Sequence, residues 1–238
     1  MSSKLYLIPS LLGESDFHRV LPKYNIEIVE QLQIFVVENE KSARRFIKTI
    51  LPNKKQSELE IHILNKNTTA EELYELAQLF DRKESIGIIS EAGLPAIADP
   101  GANLVELAHK RNVQVIPLVG PSSILMALMA SGMNGQKFMF HGYLPIDKFE
   151  RKKAIQKLEI ESKKNNCTQI FMETPYRNQK LLHDLQDLIK FCQPSTSVCV
   201  AANITMDDEF ILTQSIKEWA QKKTDFHKKP AIFLLESY

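Results

Sequence analysis

ISEAGLPAIADPGANLVELAHKRNVQVIPLVGPSSILMALMASG, residues 89–132, is the stretch that decides the fold. It contains the rigid turns GLP, DPG and GPSS. A buried strand precedes the first turn, a helix follows the second, and a strand leads into the third turn and an apolar helix. This order of strands, turns and helices is typical of a parallel sheet whose helices cover its faces.

The same alternation extends outward toward both ends of the chain. On the N-terminal side, KLYLIPS, ELEIHILN and SIGIIS are predicted strands, and EKSARRFIKTIL and TTAEELYELAQLFDRK are predicted helices. We interpret EIVEQLQIFVVEN as one or two strands. On the C-terminal side, KFMFHGYLP, TQIFMETP, SVCVAANIT and PAIFLLES are predicted strands separated by helices. We therefore predict an α/β fold with mostly parallel sheets and two α/β domains, residues 1–120 and 121–238.

Composition excludes several classes of protein. The chain has 238 residues, of which 44% are hydrophobic and 25% charged, as in an ordinary globular protein. No apolar run approaches the roughly 18 residues that a membrane span needs, so we expect no membrane association. The three cysteines form no CxxC pair and the six histidines show no ligand spacing. We therefore expect reduced thiols, a cytoplasmic location and no metal site.

Charge is nearly balanced over the whole chain but not between its halves. The net charge is +1. Residues 1–136 carry 14 basic and 16 acidic side chains, whereas residues 137–238 carry 16 and 13. A polyanionic ligand is therefore expected to contact the second half more than the first.

The three turns are suited to holding a ligand. In open α/β sheets, ligands bind beyond the carboxyl ends of the strands, and Gly93 follows such an end and tolerates a positive φ. Pro95 stiffens the same loop, and Asp99 is predicted to cap a helix that begins near Asn103. Ser122 and Ser123 begin a further helix, where free N–H groups bind polar ligands. The chain has no GxGxxG, P-loop or GxSxG motif, which excludes the common dinucleotide, nucleotide and hydrolase signatures.

These turns resemble the signature of a known family. SEAGLPAIADPG, IPLVGPSS and ASG are similar to the segments SDAGTP.ISDPG, PLPGPS and ASG of the tetrapyrrole (corrin/porphyrin) methylase superfamily. The branch most similar is that of the small-subunit ribosomal RNA cytidine 2′-O-methyltransferases. LYLIPSLLGE, VENEK, FMFHGYLP, IFMETPYRNQKLL and VAANITMDDE match further family segments in the same order.

The resemblance implies two α/β domains with S-adenosylmethionine in the cleft between them, and a homodimer. It implies cofactor contacts from both domains. The implied cofactor-binding residues are Pro9, Ser90, Gly93, Leu94, Pro95, Ser122 and Ser123 in the first domain or at its end, and Met172, Glu173, Thr174, Pro175, Ala201, Ala202, Pro230 and Ala231 in the second.

The departures from the family pattern lie on the substrate side. The Asp and Arg of AEDTR are Asn39 and Lys41 here, and the Arg and Glu of LARELTK are Ala202 and Asn203. Glu38 is retained. A lost Arg matters where it would bind phosphate through two hydrogen bonds.

A ribose acceptor in RNA would require a base near its hydroxyl and cations near its phosphates. A ribose hydroxyl is weakly acidic, so a nearby carboxylate would assist its attack, and Glu38 and Glu173 are the candidates. Lys41 and Arg177 are the candidate RNA contacts. The leading hypothesis is an S-adenosylmethionine-dependent methyltransferase that acts on ribosomal RNA at a ribose 2′-OH. The alternatives are a methylase of a small tetrapyrrole-like acceptor and a domain that binds the cofactor without turnover.

Overall fold

The chain folds as two units, each built on its own five-stranded sheet. The structure is a computed structural model that describes residues 3–187 and 191–238. The units comprise Met1–Ser122 and Ser123–Tyr238. The predicted α/β class is confirmed.

The first unit alternates strands and helices along its length. Its strands are β1 (Lys4–Ile8), β2 (Ile34–Val37), β3 (Glu60–Ile63), β4 (Ile86–Ile89) and β5 (Gln114–Pro117). Its helices are α1 (Lys23–Gln31), α2 (Glu40–Ile50), α3 (Ala70–Gln78) and α4 (Gly101–Lys110). Short 3₁₀ helices cover Phe17–Arg19, Gln56–Glu58 and Leu79–Arg82.

The first sheet is entirely parallel, in the order β3-β2-β4-β1-β5. Every residue of the inner strands β2 and β4 is buried, whereas the edge strands β3 and β5 are partly exposed. Continuous apolar sequences such as IFVV and IGII are expected where helices cover both faces of a parallel sheet. The carboxyl ends of all five strands consequently lie at one edge of this sheet.

The second unit begins with a helix and contains the second sheet. Its strands are β6 (Phe138–Tyr143), β7 (Thr168–Glu173), β8 (Ser197–Ala202), β9 (Phe210–Ser215) and β10 (Ala231–Glu236). Its helices are α5 (Ser123–Ser131), α6 (Lys148–Asn165), α7 (Asn178–Asp187) and α8 (Ile216–Trp219). The helix α5 lies against β8, β9 and β10, so the GPSS turn leads directly into the second unit.

The second sheet is mixed, in the order β6-β7-β10-β8-β9. Only the pair β6 and β7 is parallel, and the pairs β7–β10, β10–β8 and β8–β9 are antiparallel. The prediction of a mostly parallel sheet is therefore wrong for this unit. Alternation of strands and helices along the sequence does not fix strand direction. A short loop lets β9 return antiparallel to β8, and β10 enters between β7 and β8 from far along the chain.

Two local predictions are corrected in the first unit. EIVEQLQIFVVEN contains one strand, and its first part belongs to α1, because Asn25, Ile28, Val29 and Leu32 repeat at helical spacing and form one buried face. The helix α4 begins at Gly101 rather than near Asn103, and its N-cap is Pro100.

Within the described residues, no helix is long and apolar enough to cross a membrane. In the same part of the chain, no group of three or more His, Cys, Asp or Glu side chains could hold a metal ion. All three cysteines, Cys167, Cys192 and Cys199, are buried free thiols. Burial, together with the neighbouring Glu159 carboxylate, raises the pKa of the Cys192 thiol to about 12.

The four-residue helix α8 is held in place by its ends and by one large side chain. Ser215 and Glu218 form a capping box at its start. The Trp219 side chain is 1% exposed, and its indole Nε1 donates to the Val198 carbonyl oxygen at 2.8 Å. Burial of this ring therefore fixes α8 on the second sheet.

We predict that Trp219→Ala lowers the free energy of unfolding by about 3–5 kcal/mol, because it leaves a large cavity and removes the indole hydrogen bond to the Val198 carbonyl. Chemical denaturation followed by circular dichroism measures the effect. Phe149→Ala is the matched control, since that ring is 63% exposed, and it should cost well under about 1 kcal/mol. Equal losses in the two variants would contradict the assignment of Trp219 as an anchor.

Candidate functional site

Several predicted site residues lie side by side at the carboxyl edge of the first sheet. Ile8 pairs with Ile89, and Val37 also pairs with Ile89. The residues that follow these strand ends, Pro9, Glu38 and Ser90, are therefore neighbours at the edge. Strand register, rather than sequence proximity, brings them together.

The carbonyl oxygen of Gly93 ties two of these loops together. It accepts hydrogen bonds from the Ser10 backbone N–H at 3.0 Å and from the Ser90 hydroxyl at 2.6 Å. The two hydroxyls lie 3.4 Å apart, and Ser10 and Ser90 are 4% and 5% exposed. The Ser90 side chain thus shapes the loop of residues 90–95, which we call the Gly93 turn. Its hydroxyl is engaged within the protein.

Glycines permit close approaches between the loops at this edge. Gly93 has φ +76°, and a Cβ there would lie 3.1 Å from Leu12 Cδ2 and 3.2 Å from the Pro121 carbonyl oxygen. At Gly120 a Cβ would lie 2.2 Å from the Pro9 Cβ. Since real Cβ atoms do not approach so closely, the loops after β1 and β5 can meet only because Gly120 lacks a side chain.

A second turn, residues 96–101, is organised by one carboxylate. Asp99 Oδ1 accepts the backbone N–H groups of Ala96 at 2.7 Å and Gly101 at 2.8 Å. Ala96 and Ala98 adopt φ values of 64° and 60°, in the left-handed region that non-glycine residues rarely occupy. Backbone strain of this kind accumulates at binding loops, where surrounding contacts over-determine the conformation.

Three carboxylates converge beside these turns. Burial raises the pKa of Glu38, and the nearby charges of Asp99 and Glu91 raise it further, while a hydrogen bond from the Glu91 backbone opposes the shift. Burial also raises the pKa of Asp99, against the two backbone hydrogen bonds that it accepts. A carboxylate with a raised pKa binds a proton more readily, which is what a general base requires.

The remaining predicted residues of the first unit lie around the same loops. Pro95 is buried, whereas Leu94 and Ser122 are partly exposed. Ser123, also partly exposed, is the first residue of α5 and of the second unit. Lys41 is exposed on the first turn of α2, beside the N-cap Asn39. The side-chain oxygen of Asn39 accepts the N–H groups of Lys41 and Ser42, so the substituted Asn39 is a working helix cap here.

The predicted residues of the second unit also meet, at one edge of the second sheet. Ala231 pairs with both Glu173 and Ala202, and Ile232 pairs with Met172 and Ala201. Antiparallel pairing therefore places the ends of β7 and β8 beside the start of β10. Ala201 and Ala202 are fully buried and contribute packing rather than exposed surface. The partly or fully exposed residues of this edge are Met172, Thr174, Pro175 and Pro230.

Glu173 and Arg177 are partners of each other. An Arg177 guanidinium nitrogen lies 2.6 Å from Glu173 Oε1, and the Thr174 backbone N–H donates to the same oxygen at 2.7 Å. Glu173 is 5% exposed, so the ion pair holds a buried charge and fixes the turn after β7. Its carboxylate is better placed to position Thr174 and Pro175 than to accept a proton.

Sequence comparison identified residues 203–209 only as part of a family-like segment with Asn203 as a departure, and it predicted no binding role for this loop, which we call the Asn203 turn. Asn203 and Thr205 have φ values of 51° and 74°. The Asn203 amide donates to both Asp208 carboxylate oxygens, and Lys229 Nζ lies 2.9 Å from Asp208 Oδ2. The signal for this turn was the ANITMDD sequence, since Asn tolerates a positive φ and Asp offers a side-chain acceptor.

Three buried oxygen atoms near the Asn203 turn lack a hydrogen-bond donor within the described residues. They are Asn178 Oδ1, Asn203 Oδ1 and Thr205 Oγ1. The Asn178 amide donates to the Lys229 carbonyl, which connects this side chain to the same group. Buried acceptors without a donor are uncommon, and they mark a place where a ligand or water supplies the missing hydrogen bond.

Comparison with known proteins adds the family context. The model of the family described as Tetrapyrrole (Corrin/Porphyrin) Methylases matches residues 23–220. The protein named ribosomal RNA small subunit methyltransferase I from Escherichia coli O157:H7 is 27% identical over an alignment of 239 residues, covering 99% of this chain and 78% of that protein. The protein of the same name from Thermotoga maritima is 30% identical over 178 residues, covering 73% of this chain and 76% of that protein.

A solved structure supports the fold. The crystal structure of the methyltransferase CobJ matches with a TM-score of 0.64 at 14% sequence identity, covering 99% of this chain and 95% of that chain. At this identity the likeness concerns the fold alone. Because the family model covers most of the sequence and the named relatives are methyltransferases, the chain belongs to the Tetrapyrrole (Corrin/Porphyrin) Methylases, the family that its three turns resemble.

Proposed function

We propose that the chain transfers a methyl group from S-adenosylmethionine to small-subunit ribosomal RNA, at a ribose 2′-OH. The observation that carries the proposal is the convergence on the Gly93 carbonyl, which organises a ligand loop at the carboxyl edge of a parallel sheet. The RNA acceptor is supported by the relatives named ribosomal RNA small subunit methyltransferase I, which align with nearly all or most of the chain.

The residues present fit a methyl donor of this kind. The glycine at position 93 lets this turn pack tightly against Leu12 and the Pro121 carbonyl, which holds the loop backbone in one conformation beside the proposed ligand. The unpartnered oxygens of Asn178, Asn203 and Thr205 are acceptors for donor groups such as an ammonium or hydroxyl. The residues proposed to hold the cofactor are those implied by the family resemblance, with the fully buried Ala201 and Ala202 acting as packing beneath the contact residues.

The methyl donor and the residues of this chain have different roles in the proposed reaction. When bound, S-adenosylmethionine supplies a methyl group on a sulfonium sulfur, so that the acceptor oxygen bonds to the methyl carbon and the electron pair of the broken C–S bond stays on sulfur. The turns of this chain are proposed to position the acceptor oxygen against the methyl group, which lowers the entropic part of the barrier. Glu38 is proposed to accept the proton that the attacking hydroxyl loses.

The RNA contacts and the assembly are part of the same proposal. Lys41 is an exposed cation at the start of α2, close in sequence to Glu38, and it is suited to a phosphate. Arg177 is proposed as a second contact that acts while it remains paired with Glu173.

We further propose a homodimer that acts in the cytoplasm, and light scattering of the purified protein measures its mass directly.

We predict that Gly93→Ala lowers the affinity for S-adenosylmethionine at least about tenfold, because the new methyl group disturbs contacts with Leu12 and Pro121 that set the loop. Isothermal titration calorimetry with S-adenosylmethionine and S-adenosylhomocysteine measures the affinity. The wild type should bind either ligand at one site per chain. Absence of binding to the wild type would contradict the proposed function.

Gly132→Ala is the matched control for the backbone. Gly132 has φ +74°, nearly the value of Gly93, but a Cβ there would meet no atom of the described part of the chain within 4 Å. Both variants should therefore lose a similar roughly 1–2 kcal/mol of stability from the left-handed conformation. Only Gly93→Ala should lose cofactor affinity, and a matching loss in Gly132→Ala would remove the Gly93 turn from the site.

We predict opposite effects of Glu38→Gln on activity and on stability. The folded-state pKa of Glu38 is raised above its ordinary value of 4.5, so ionised Glu38 disfavours the fold at neutral pH. The favourable contribution of the neutral carboxyl is complete below about pH 4.5 and is lost as pH rises through the raised pKa. Glu38→Gln should therefore raise the melting temperature at pH 7, and this gain should vanish at acid pH.

The methyl-transfer rate of Glu38→Gln should fall by about 100-fold or more at neutral pH, with cofactor affinity unchanged. Transfer of radiolabelled methyl to small ribosomal subunits, followed by mapping of 2′-O-methyl groups, measures this rate. Glu40→Gln is the control, because Glu40 is exposed and pairs with Arg44 at 2.8 Å. A stabilised Glu38→Gln with full activity would show that the carboxylate has no part in the reaction.

A further inference from the structure

A cavity of about 440 Å³ lies within the first unit, beside the proposed cofactor loop. One wall is formed by the segment after β1, which includes Ser10 and Ser15, and another by Ser42, Arg45 and Phe46 of α2. The third wall is the end of β4 with Ser90 and Glu91. Its volume lies within the roughly 300–1,000 Å³ of ordinary ligand sites.

The cavity adjoins the Gly93 turn directly. Ser10 and Ser90, which both donate to the Gly93 carbonyl, are also part of its lining. Glu91, the next residue, is one of the carboxylates that raise the pKa of Glu38. A ligand in this cavity would therefore lie next to the loop proposed to bind the methyl donor and close to the proposed base.

The walls present both apolar surface and hydrogen-bonding groups. Phe46, which is 9% exposed, and Ile89 supply apolar surface. The Ser15 hydroxyl oxygen is buried and has no hydrogen-bond partner among the described residues. Ser42 Oγ donates to Glu91 Oε1 at 2.5 Å, so this pair offers a carboxylate that retains further acceptor capacity.

The lining also includes a cation, Arg45. Arg45 is exposed on α2, and within the described part of the chain its guanidinium forms no ion pair. The preceding residue differs, since Arg44 binds both Glu40 and the Gln56 carbonyl. An unpaired guanidinium at the rim of a mixed cavity is suited to an anionic group of the occupant, with phosphate the best geometric match.

We propose that this cavity receives one nucleotide of the RNA strand, turned out of its stack. The assignment rests on the proposed function and identifies the acceptor side of it. Phe46 and Ile89 face the base, the Ser15 hydroxyl and the Ser42–Glu91 pair serve its polar groups and ribose, and Arg45 binds an adjacent phosphate. Single-stranded RNA is recognised in this manner, with a splayed base held by apolar contact and edge hydrogen bonds.

The first experiment separates a specific phosphate contact from general electrostatic attraction. Arg45→Ala should weaken binding of a short single-stranded RNA several-fold and reduce the slope of log K against log salt concentration by about 1. Lys48→Ala is the matched control, because Lys48 is an exposed cation of the same helix that does not line the cavity. Its RNA affinity and salt slope should stay near the wild-type values, and equal losses in the two variants would overturn the assignment.

The second experiment tests occupancy with a small probe. Cytidine 5′-monophosphate should bind the wild type in ligand-observed NMR, with no methyl donor present. Ser15→Phe should abolish this binding by filling the cavity. Ser15→Ala should weaken it and leave the fold intact by circular dichroism, since the lost hydroxyl has no partner among the described residues. Unchanged nucleotide binding in both Ser15 variants would overturn the proposal.

The nucleoside of the cofactor is the competing occupant, and calorimetry distinguishes the two. If Ser15→Phe loses S-adenosylmethionine affinity as steeply as nucleotide affinity, the cavity belongs to the cofactor and the proposal fails. Retained cofactor affinity supports it. The probe measurements need no methyl transfer, so a wild type that binds nucleotide here but methylates no ribosomal RNA would contradict only the proposed function. Active Arg45 and Ser15 variants with unchanged RNA affinity would contradict only the cavity assignment.

Discussion

The hydrogen bonds that meet at the Gly93 carbonyl are the constraint on which the first unit's site depends. Two donors, the Ser10 N–H and the Ser90 hydroxyl, come from the ends of different strands. One carbonyl therefore fixes the loop after β1 relative to the loop after β4. The loop after β5 is held against the same loops, because Gly120 has no side chain and can pack closely against Pro9. A rigid parallel sheet beneath these loops supplies the precision that a binding site on loops otherwise lacks.

The same edge holds charges that oppose the fold. Burial disfavours ionisation of Glu38 and Asp99, and the charges of Asp99 and Glu91 disfavour ionisation of Glu38 further. Asp99 repays part of this cost by organising its own turn through two backbone N–H groups. Glu38 has less compensation, since one hydrogen bond from the Glu91 backbone opposes the effects of burial and of the Asp99 and Glu91 charges on its pKa. The proposed role of Glu38 as a proton acceptor depends on the register of β2 with β4, which places it beside these carboxylates.

In the second unit, other contacts hold the turns at the edge of the sheet. Its edge is made by antiparallel strands, and its turns are held by the Glu173–Arg177 ion pair and by the Asn203–Asp208–Lys229 group. The family's Arg and Glu are Ala202 and Asn203 here. The Ala202 side chain is buried in the core, and Asn203 adopts the positive φ that the turn requires. These substitutions have local structural roles in this chain, so they do not by themselves indicate a lost activity.

The sequence by itself determined the α/β class, the order of most elements and the positions of the turns from which the candidate site is proposed, because apolar periodicity and turn residues are local signals. It also identified the family through its turns. It did not determine strand direction in the second sheet, the helix over Lys23–Gln31, or the partnership of Glu173 with Arg177. Nor did it indicate that Ser15, Arg45 and Glu91 line one cavity. These features depend on strand register and packing between segments far apart in the chain, and only the tertiary structure brings such segments together.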